Sequence, residues 1–587
     1  MTDGIPVAPG MEDARVPRVT AVIDARVALM SAAAAVLGLA AGILAEGLVR
    51  LIGLVTNLAF YHRVSMDFVS PAGNRLGWAL LPVPVAGGLL VGLLARYGSK
   101  AIRGHGIPEA MEQVLVNGSR IPARLTFLKP LSAAIAIGTG GPFGAEGPII
   151  ATGGALGSLV GQRLPMTALE RKTLLAAGAA AGMAATFGAP VAAVLLAVEL
   201  LLFELRPRSV IPVALAAVAA TGVRFALHGI RPIFPMAPLA PPSGLQLCVY
   251  IAVGALAGLA SVGATRALHW IEDGFERLPV HWMWWPALGG LAVGIVGVLA
   301  PRTLGVGYDN IEAILGGTLA TKALLLLCLA KFVSWAVALG SGTSGGTLAP
   351  LFTIGGALGA LLGVLAAAVL PGAGVDPRMC ALVGMAAIFA GAARCLLTSA
   401  VFAFEITQQP MGLMPLLGGC AAAYLISALV MRHGIMTGKL ARRGVRVPAD
   451  YHADHLDQLL VRDHATREVA AFGADETVGA ARRWLGQGGP GASHQGFPLL
   501  DAEGRPVGLV MGRDLLDPAL DPGLALGGLI TRPVAVALEG SSLREAADHM
   551  VREGVGRLPV VGSDGRLAGI LTRSDLLDAH ALRLGDG

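Results

Sequence analysis

Two segments of this chain, 129–161 and 331–363, repeat each other without a gap at an offset of 202 residues. They are identical at 15 of 33 positions, including Lys129/Lys331 and Gly144/Gly346. Each copy runs from an apolar stretch through a glycine-rich break into a second apolar stretch. Helices interrupted in this way are typical of membrane proteins built from two related halves. The breaks are therefore where we look for function.

The composition predicts a polytopic membrane protein. Of 587 residues, 54% are apolar and 14% are charged, and the mean hydropathy is +0.68, which is too apolar for a large soluble protein. Several runs can span or nearly span a hydrocarbon layer of ~30 Å. They include 27–44, 77–95, 173–203, 321–340 and 379–404. Several runs are short or directly joined, so the number of crossings stays open.

Charge divides the chain into a membrane part and an acidic tail. From Pro448 onwards there are 13 Arg, no Lys and 20 Asp and Glu, a net charge of −7, whereas the part before it carries a net charge of +12. We expect an N-terminal cytoplasmic segment 1–26, a transmembrane domain 27–445 with halves of about 27–225 and 245–440, and a soluble domain 449–587.

Basic clusters flank the first and last apolar runs and predict the orientation. The positive-inside rule places both termini in the cytoplasm, which requires an even number of crossings in a plasma (inner) membrane. Segment 1–26 lacks a signal-peptide core, so we expect the first span to direct insertion. The basic residues concerned are Arg15, Arg18 and Arg26 at the start and Lys439, Arg442 and Arg443 at the end.

The tail holds a second repeat, with an offset of 61 residues, in which Phe497-Pro498 corresponds to Leu558-Pro559. Each copy, about 459–520 and 526–583, predicts a helix, a strand, an acid-glycine turn, a strand and a helix. The pattern closely resembles a tandem pair of CBS domains, modules that pair and often bind adenine nucleotides.

The resemblance implies one possible nucleotide site. In CBS domains a Ser or Thr three residues before an Asp helps to hold the ribose. Thr572 and Asp575 fit this pattern in the second copy, whereas the first copy has Met511 before Asp514. A purely structural, dimerising role for the tail is an equally open alternative, and we expect no other cofactor.

Three glycine-bounded breaks in the membrane part predict helix N-termini at membrane depth. In each break a proline follows the glycines and stands in a first helical turn, where its missing N–H is tolerated. Such an N-terminus presents free N–H groups and partial positive charge to an anion. Each is weak alone, so several must act together; the alternative is that they are ordinary kinks. The breaks are GHGIPE at 104–109, GAEGP at 144–148 and GGTLAP at 345–350.

These motifs clearly resemble those of the CLC family of chloride channels and anion/proton antiporters. GHGIPE is similar to the family's GSGIPE, GAEGP to GREGP and GGTLAP to GGIFAP, and 187–190 with Glu199 is similar to the family's FNAP-to-glutamate segment. The resemblance implies an all-α inverted repeat whose broken helices meet near the midplane. It also implies a homodimer with one pathway for chloride or a similar anion in each subunit.

Glu146 is the predicted gate. A carboxylate in an apolar span is costly and usually functional, and in a first helical turn it can accept the N–H groups that an anion would use. The resemblance gives it the role of the gating glutamate, which blocks the pathway when ionised and opens it when protonated or displaced. The alternative is a simple helix cap.

The resemblance also supplies the anion ligands, chiefly backbone N–H groups at the breaks. Thr347 and Leu348 would hold the central anion, and Lys129 would raise the local potential unless it extends to the interface as a helix-end lysine. The anion-binding candidates are His105, Gly106, Ile107, Gly147, Thr347, Leu348 and Met436.

Three positions depart from the family. His105 stands in place of the central serine, Met436 in place of the tyrosine ligand, and Ala145 in place of the arginine of GREGP. The His105 ring can donate to an anion, or it can bond to a carbonyl and leave coordination to the Gly106 and Ile107 amides. A thioether cannot donate a hydrogen bond, so chloride selectivity cannot be transferred intact.

Proton coupling is the main open question. Glu199 matches the first of two acids in the antiporter pattern, but Leu200 stands where the second, which relays protons, belongs. We therefore favour passive permeation and keep proton-coupled exchange as the alternative. For Glu405, another membrane acid of the family, we expect a structural hydrogen bond and no transport role.

Other classes fit less well. A cation transporter would need carboxylates converging on the ion, but the breaks offer N–H groups. An intramembrane enzyme is not supported, because no HExxH occurs and the 12 histidines are scattered. The soluble part is acidic, which argues against nucleic-acid binding. The five cysteines lie in or beside apolar segments, without paired spacing, and read as packing residues.

Overall fold

The structure is a computed structural model that describes residues 14–15, 23–445, 447–448, 456 and 459–585, with the backbone alone for 581–585. Most of the expected N-terminal segment 1–26, including Arg18, lies outside the described residues. The chain divides into two compact units, one of residues 23–451 and the other of residues 452–587 together with 1–22. Each unit has its own architecture.

The membrane unit is all helical, and its first eight helices correspond one to one with the next eight. The first half contains α1 (Ala25–Tyr61), α2 (Pro82–Leu93), α3 (Ile107–Leu115), α4 (Leu125–Gly138), α5 (Glu146–Arg163), α6 (Ala168–Phe187), α7 (Pro190–Ala197) and α8 (Pro207–His228). The second half contains α9 (Gly244–Glu276), α10 (Trp285–Leu299), α11 (Tyr308–Leu315), α12 (Thr321–Gly340), α13 (Leu348–Val369), α14 (Pro377–Ala393), α15 (Leu396–Thr407) and α16 (Leu413–Val430). A short α17 (Gly438–Arg442) follows.

Small residues set the closest helix contacts in both halves. A Cβ on Gly153 of α5 would collide with the Gly178 carbonyl of α6, and a Cβ on Gly355 of α13 would lie 2.5 Å from the Gly384 carbonyl of α14. Gly153 and Gly355 are equivalent positions of the repeat. Membrane helices gain contact by such close backbone approach, because lipid provides little hydrophobic drive between them.

Two of the apolar runs are not continuous helices. In the described part of the chain, eight helical segments are long and apolar enough to cross a membrane. The run 173–203 is broken at Gly188, which has φ +63°, and the run 379–404 is broken at Arg394, which has φ +58°. Positive φ stops a right-handed helix. The breaks recur at equivalent places in the two halves, between α6 and α7 and between α14 and α15.

The tail unit contains two copies of one three-stranded module. The strands are β1 (Phe472–Gly473), β2 (Gly496–Leu500) and β3 (Pro506–Met511) in the first, and β4 (Ala537–Leu538), β5 (Arg557–Val561) and β6 (Leu567–Thr572) in the second. The helices are α18 (Val461–His464), α19 (Val478–Gly486), α20 (Gly512–Leu515), α21 (Leu543–Glu553) and α22 (Arg573–Gly585). In each module the first strand pairs parallel with the second, and the second pairs antiparallel with the third.

The predicted turns of the tail are confirmed. Gly504 has φ +81° and Gly565 has φ +78°, so both acid-glycine turns need the left-handed conformation that glycine permits. The register is the same in both copies, since Phe497 faces Val510 and Leu558 faces Leu571 across the hairpins. The short parallel strands β1 and β4 are additions to the expected pattern.

An N-terminal residue adds to the second module of the tail. Arg15 pairs parallel with Ala535, donates its N–H to the Val534 carbonyl at 2.9 Å and accepts from the Val536 N–H at 3.0 Å. Its guanidinium lies 2.6 Å from the Glu553 carboxylate, and its carbonyl lies 2.9 Å from Nε2 of His549. Arg15 is therefore part of the tail unit.

Candidate functional site

The three predicted breaks meet. Gly144 pairs antiparallel with Gly346, through N–H to carbonyl bonds of 3.3 and 2.9 Å, and Gly104 pairs parallel with Ser344. The Gly345 N–H donates to the Gly104 carbonyl at 3.4 Å. The loops before α3, α5 and α13 therefore form one backbone junction inside the membrane unit. Unrelated kinks would not need to share a place, so the meeting of the three breaks favours a common site.

The Glu146 side chain lies within this junction and crosses from one half of the repeat to the other. It is fully buried, and its Oε1 accepts the backbone N–H of Ala349, in the first turn of α13, at 2.9 Å. Its Oε2 has no hydrogen-bond partner among the described residues. A Cβ on Gly144 would collide with the carboxylate, and a Cβ on Gly346 would lie 2.8 Å from Oε1. Glycine at both positions makes room for it.

This contact is more than a cap of the residue's own helix. Glu146 is the first residue of α5, yet its carboxylate serves α13, 203 positions further along the chain. A helix N-terminus attracts negative charge through its free N–H groups and its dipole. The carboxylate thus occupies a place where a small anion would find the same donor.

The Glu146 carboxylate takes the N–H group that the Thr347 hydroxyl would otherwise accept. Thr347 precedes α13, where a threonine hydroxyl normally accepts an N–H two or three residues on. Here the Ala349 N–H is bound to Glu146, and Pro350 has no N–H. The Thr347 hydroxyl is buried and has no hydrogen-bond partner among the described residues. Its donor is therefore not used by the protein in this conformation.

Four of the predicted anion ligands lie together at the α3 end of the junction. His105 is buried, and its Nδ1 has no partner among the described residues. A Cβ on Gly147 would collide with the His105 carbonyl, and a Cβ on Gly106 would collide with the Gly147 carbonyl. His105, Gly106 and Gly147 are therefore in direct backbone contact, with Ile107 next to them as the first residue of α3.

The Gly106 amide is engaged in this structure. Its N–H donates to Oε2 of Glu109 at 2.7 Å, so it binds an anion only if Glu109 releases it. Glu109 lies 3.7 Å from Lys439 of α17. Met436 lies on the segment just before α17 and is fully buried, as is Leu348 at the start of α13. The fully buried Met436 offers only a thioether, as the sequence implied.

Lys129 does not extend to an interface. It is buried within α4, and its Nζ donates to the carbonyls of Ile102 at 2.8 Å and Gly104 at 2.9 Å. Its repeat partner Lys331 makes the same contacts in the second half, to Thr303 at 3.0 Å and Gly305 at 2.8 Å. Each lysine thus fixes the loop that leads into a short helix, α3 or α11.

The second half contains a fourth break, which the sequence analysis missed. Gly305 and Gly307 have φ of +64° and +82° and lead into α11, as Gly104 and Gly106, with φ of +93° and +96°, lead into α3. The offset here is 201 residues instead of 202, and no proline follows. Tyr308 is the first residue of α11 and corresponds to Ile107.

Two other acids make reciprocal contacts between the halves. Glu199, just after α7, accepts the N–H groups of Leu397 at 3.1 Å and Thr398 at 3.0 Å at the start of α15. Glu405, within α15, accepts the N–H groups of Val191 at 3.1 Å and Ala192 at 2.8 Å at the start of α7. The structural hydrogen bonds expected for Glu405 are present, and Glu199 makes equivalent ones.

In the tail, Thr572 and Asp575 bond to each other. The Thr572 N–H and hydroxyl donate to Oδ2 of Asp575 at 2.6 and 2.9 Å, at the start of α22. A nucleotide would have to share or replace these bonds. Among the described residues there is no group of three His, Cys, Asp or Glu side chains that could hold a metal ion.

Comparison with known proteins identifies the family of the membrane unit. Residues 87–428 match the family model of the voltage gated chloride channel, and residues 526–581 match that of the CBS domain. A putative chloride channel protein ClcB-like from Ralstonia nicotianae is 30% identical over 62% of this chain and 86% of its own length. An H(+)/Cl(-) exchange transporter ClcA from Vibrio parahaemolyticus is 28% identical over 63% of this chain and 83% of its own length.

Solved structures share the fold. A slow cyanobacterial Cl-/H+ antiporter superposes with a TM-score of 0.65 at 24% identity, covering 72% of this chain and 98% of that chain. A eukaryotic CLC transporter superposes with a TM-score of 0.61 at 22% identity, covering 94% of this chain and 99% of that chain. The family match spans more than half of the sequence and includes the junction of broken helices. This multi-pass membrane protein therefore belongs to the CLC family of anion transport proteins.

Proposed function

We propose that the chain is a chloride or small-anion channel in which Glu146 gates passive permeation. The observation that carries this proposal is the buried carboxylate of Glu146 on the Ala349 N–H, at the point where three helix interruptions meet. An anion that takes the place of the carboxylate would find that amide, the amides of Thr347 and Leu348, and the unused Thr347 hydroxyl. Entry of the anion then requires protonation or displacement of Glu146.

Partial dehydration of the anion must be offset by several donors at once. One helix terminus contributes up to ~2 kcal/mol when partly buried, whereas full dehydration of an ion has an idealised cost of order 20 kcal/mol. Backbone N–H groups of α3, α5 and α13, with the buried ammonium groups of Lys129 and Lys331 behind them, supply the converging positive field. The pathway needs no side-chain cation in direct contact with the anion.

Purified protein in liposomes tests the proposal. Chloride and proton fluxes are recorded together, with a chloride gradient and no proton gradient. We expect chloride to move down its gradient without uphill proton movement. A fixed ratio of proton to chloride flux, with protons driven uphill, would exclude passive permeation.

Proton-coupled exchange is the second candidate, favoured by the relatives. Several Vibrio proteins named H(+)/Cl(-) exchange transporter are 28–29% identical to this chain. Against it, Leu200 cannot carry a proton, and both oxygens of Glu199 accept hydrogen bonds from the start of α15. The liposome measurement distinguishes the two mechanisms.

The remaining expectations are part of the same proposal. We expect a homodimer with one pathway per subunit, in the plasma (inner) membrane, with both termini in the cytoplasm. The tail would bind one adenine nucleotide at Thr572 and Asp575 and so regulate permeation, or it would serve only in dimerisation. Calorimetry of the full chain with ATP, ADP and AMP separates these roles, because no heat with any of the three nucleotides would remove the binding site.

A further inference from the structure

The hydroxyl of Tyr308, at the start of α11, is a buried polar group that no role assigned above uses. The residue as a whole is half-buried, but its hydroxyl oxygen is shielded and has no hydrogen-bond partner among the described residues. Oε2 of Glu146 is also buried and has no hydrogen-bond partner among the described residues. A buried donor without a partner costs free energy, so its retention calls for a function.

Packing alone does not explain the hydroxyl. The Tyr308 ring makes edge contacts with Phe187 and Phe234, with centroids 6.1 and 5.8 Å apart, and a tilted contact with Phe68 at 6.0 Å. These contacts use the ring, which phenylalanine would supply equally well. They also restrict the ring's movement, so the position of the hydroxyl oxygen is largely set by the protein.

The charged groups around the hydroxyl describe an anion environment. Glu146 and Arg224 are the charged side chains that interact electrostatically with it, and Lys331 interacts with Glu146. Arg224 is held by the Thr186 carbonyl at 3.0 Å, next to the break between α6 and α7. If the Glu146 carboxylate is withdrawn, an O–H donor and the Arg224 guanidinium remain. That set favours a small anion.

The repeat gives this group a position along the pathway. Tyr308 corresponds to Ile107, the first residue of α3, and each stands after a glycine of positive φ. The first position of α11 therefore carries a hydroxyl, whereas the first position of α3, Ile107, carries none.

We propose that the Tyr308 hydroxyl is a further anion ligand, which donates a hydrogen bond to a halide or nitrate ion that replaces the Glu146 carboxylate. This inference rests on the proposed function, because it needs an anion at the junction. The Tyr308 hydroxyl would add a side-chain donor at the start of α11. The strength of its hydrogen bond would depend on the size and basicity of the anion.

The test compares Tyr308→Phe with the wild type, and with Tyr97→Phe as a matched control, since Tyr97 is 78% exposed. Chloride and nitrate binding to the full chain are measured by calorimetry in detergent, and fluxes are measured in liposomes. We expect Tyr308→Phe to weaken chloride binding about tenfold, as for loss of one hydrogen bond to a charged group. The ratio of chloride to nitrate flux should also change, with no fall in melting temperature. Tyr97→Phe should match the wild type.

The outcomes separate the two proposals. If the wild type carries no anion, the proposed function fails. If the wild type carries anions and Tyr308→Phe binds and conducts them equally well, only the role of Tyr308 is overturned. A lower melting temperature with unchanged anion affinity would show a structural role and would also overturn it. Should the variant not fold, an anomalous map of the Glu146→Gln chain in bromide decides: a bromide peak must lie within hydrogen-bonding distance of the Tyr308 hydroxyl.

Discussion

The Glu146 carboxylate and a permeating anion need the same kind of donor, a backbone N–H at the start of α13. The carboxylate is tethered and fully buried, and it uses the Ala349 N–H. Its other oxygen has no partner among the described residues. Single substitutions should therefore reveal the competition between the Glu146 carboxylate and the permeating anion.

Glu146→Gln should raise chloride flux and remove its dependence on pH. Glutamine has no negative charge to place on α13 and cannot change charge by protonation. Its side chain should therefore compete less with the anion for the N–H groups at the start of α13. We expect an increase of about tenfold, which corresponds to ~1.4 kcal/mol of lost competition. Liposome flux at two pH values measures it. Glu312→Gln, an exposed acid on α11, is the control. Unchanged flux and pH dependence would show that Glu146 is not the gate.

Lys129→Met and Lys331→Met should destabilise the membrane unit by similar amounts. Each substitution leaves two buried carbonyls without their charged donor, although removing a buried cation relieves part of its desolvation cost. We expect a loss of about 2 kcal/mol in each variant. Thermal unfolding in detergent measures the change, with Lys322→Met on the surface of α12 as the control. Melting temperatures equal to the control would contradict a role in holding the loops.

At the scale of helices, two carboxylates link the halves of the membrane unit, each one binding the N-terminus of a helix in the other half. Glu199 serves the start of α15, and Glu405, within α15, serves the start of α7. Each carboxylate satisfies two N–H groups that a helix N-terminus leaves free. The pair links the same two short helices twice, and neither contact can be inferred from neighbouring sequence.

Glu199→Gln and Glu405→Gln should each cost about 1 kcal/mol, the usual magnitude for loss of a helix cap. The double substitution should deviate from additivity, because loosening one contact lets α7 and α15 separate and weakens the other. Thermal unfolding of the two single variants and the double variant measures the coupling. Additivity within ~0.3 kcal/mol would mean that the two contacts act independently.

At the scale of the whole molecule, Arg15 binds to the second tail module through its backbone and its guanidinium. The Arg15 guanidinium holds the pKa of the Glu553 carboxyl below its ordinary value, and burial lowers the pKa of His549. A depressed pKa means that the docked state favours the deprotonated form. Both groups therefore stabilise docking above their unfolded pKa values, and both contributions are lost as the pH falls through the depressed values.

Docking of Arg15 should therefore weaken in acid. Hydrogen exchange of the Val534 and Val536 region in the full chain should quicken as the pH falls from 7 to 4, after correction for the intrinsic exchange rate. Glu553→Gln should show a smaller response, and the difference should be under ~1 kcal/mol because the ion pair is exposed. Equal pH responses in the two proteins would exclude a contribution from Glu553.

Much of this architecture follows from local sequence, and the remainder depends on contacts between the halves. The three glycine-proline breaks and the tail hairpins are local signals, and the structure places them as expected. The break before Tyr308 has no proline and is one residue out of register with the repeat. The unused Thr347 hydroxyl depends on a carboxylate 201 positions earlier in the chain. The Gly106 contact, by contrast, is a Gly-x-x-Glu cap that the sequence could have revealed.

The most direct test of the central claim is an anomalous difference map of the Glu146→Gln variant crystallised in bromide. If interrupted helices hold the anion by their amides, a bromide peak should lie within hydrogen-bonding distance of the backbone N–H groups of Thr347, Leu348 or Ala349. If bromide flux persists while the ion density lies only against lysine or arginine side chains away from the junction, the claim is contradicted.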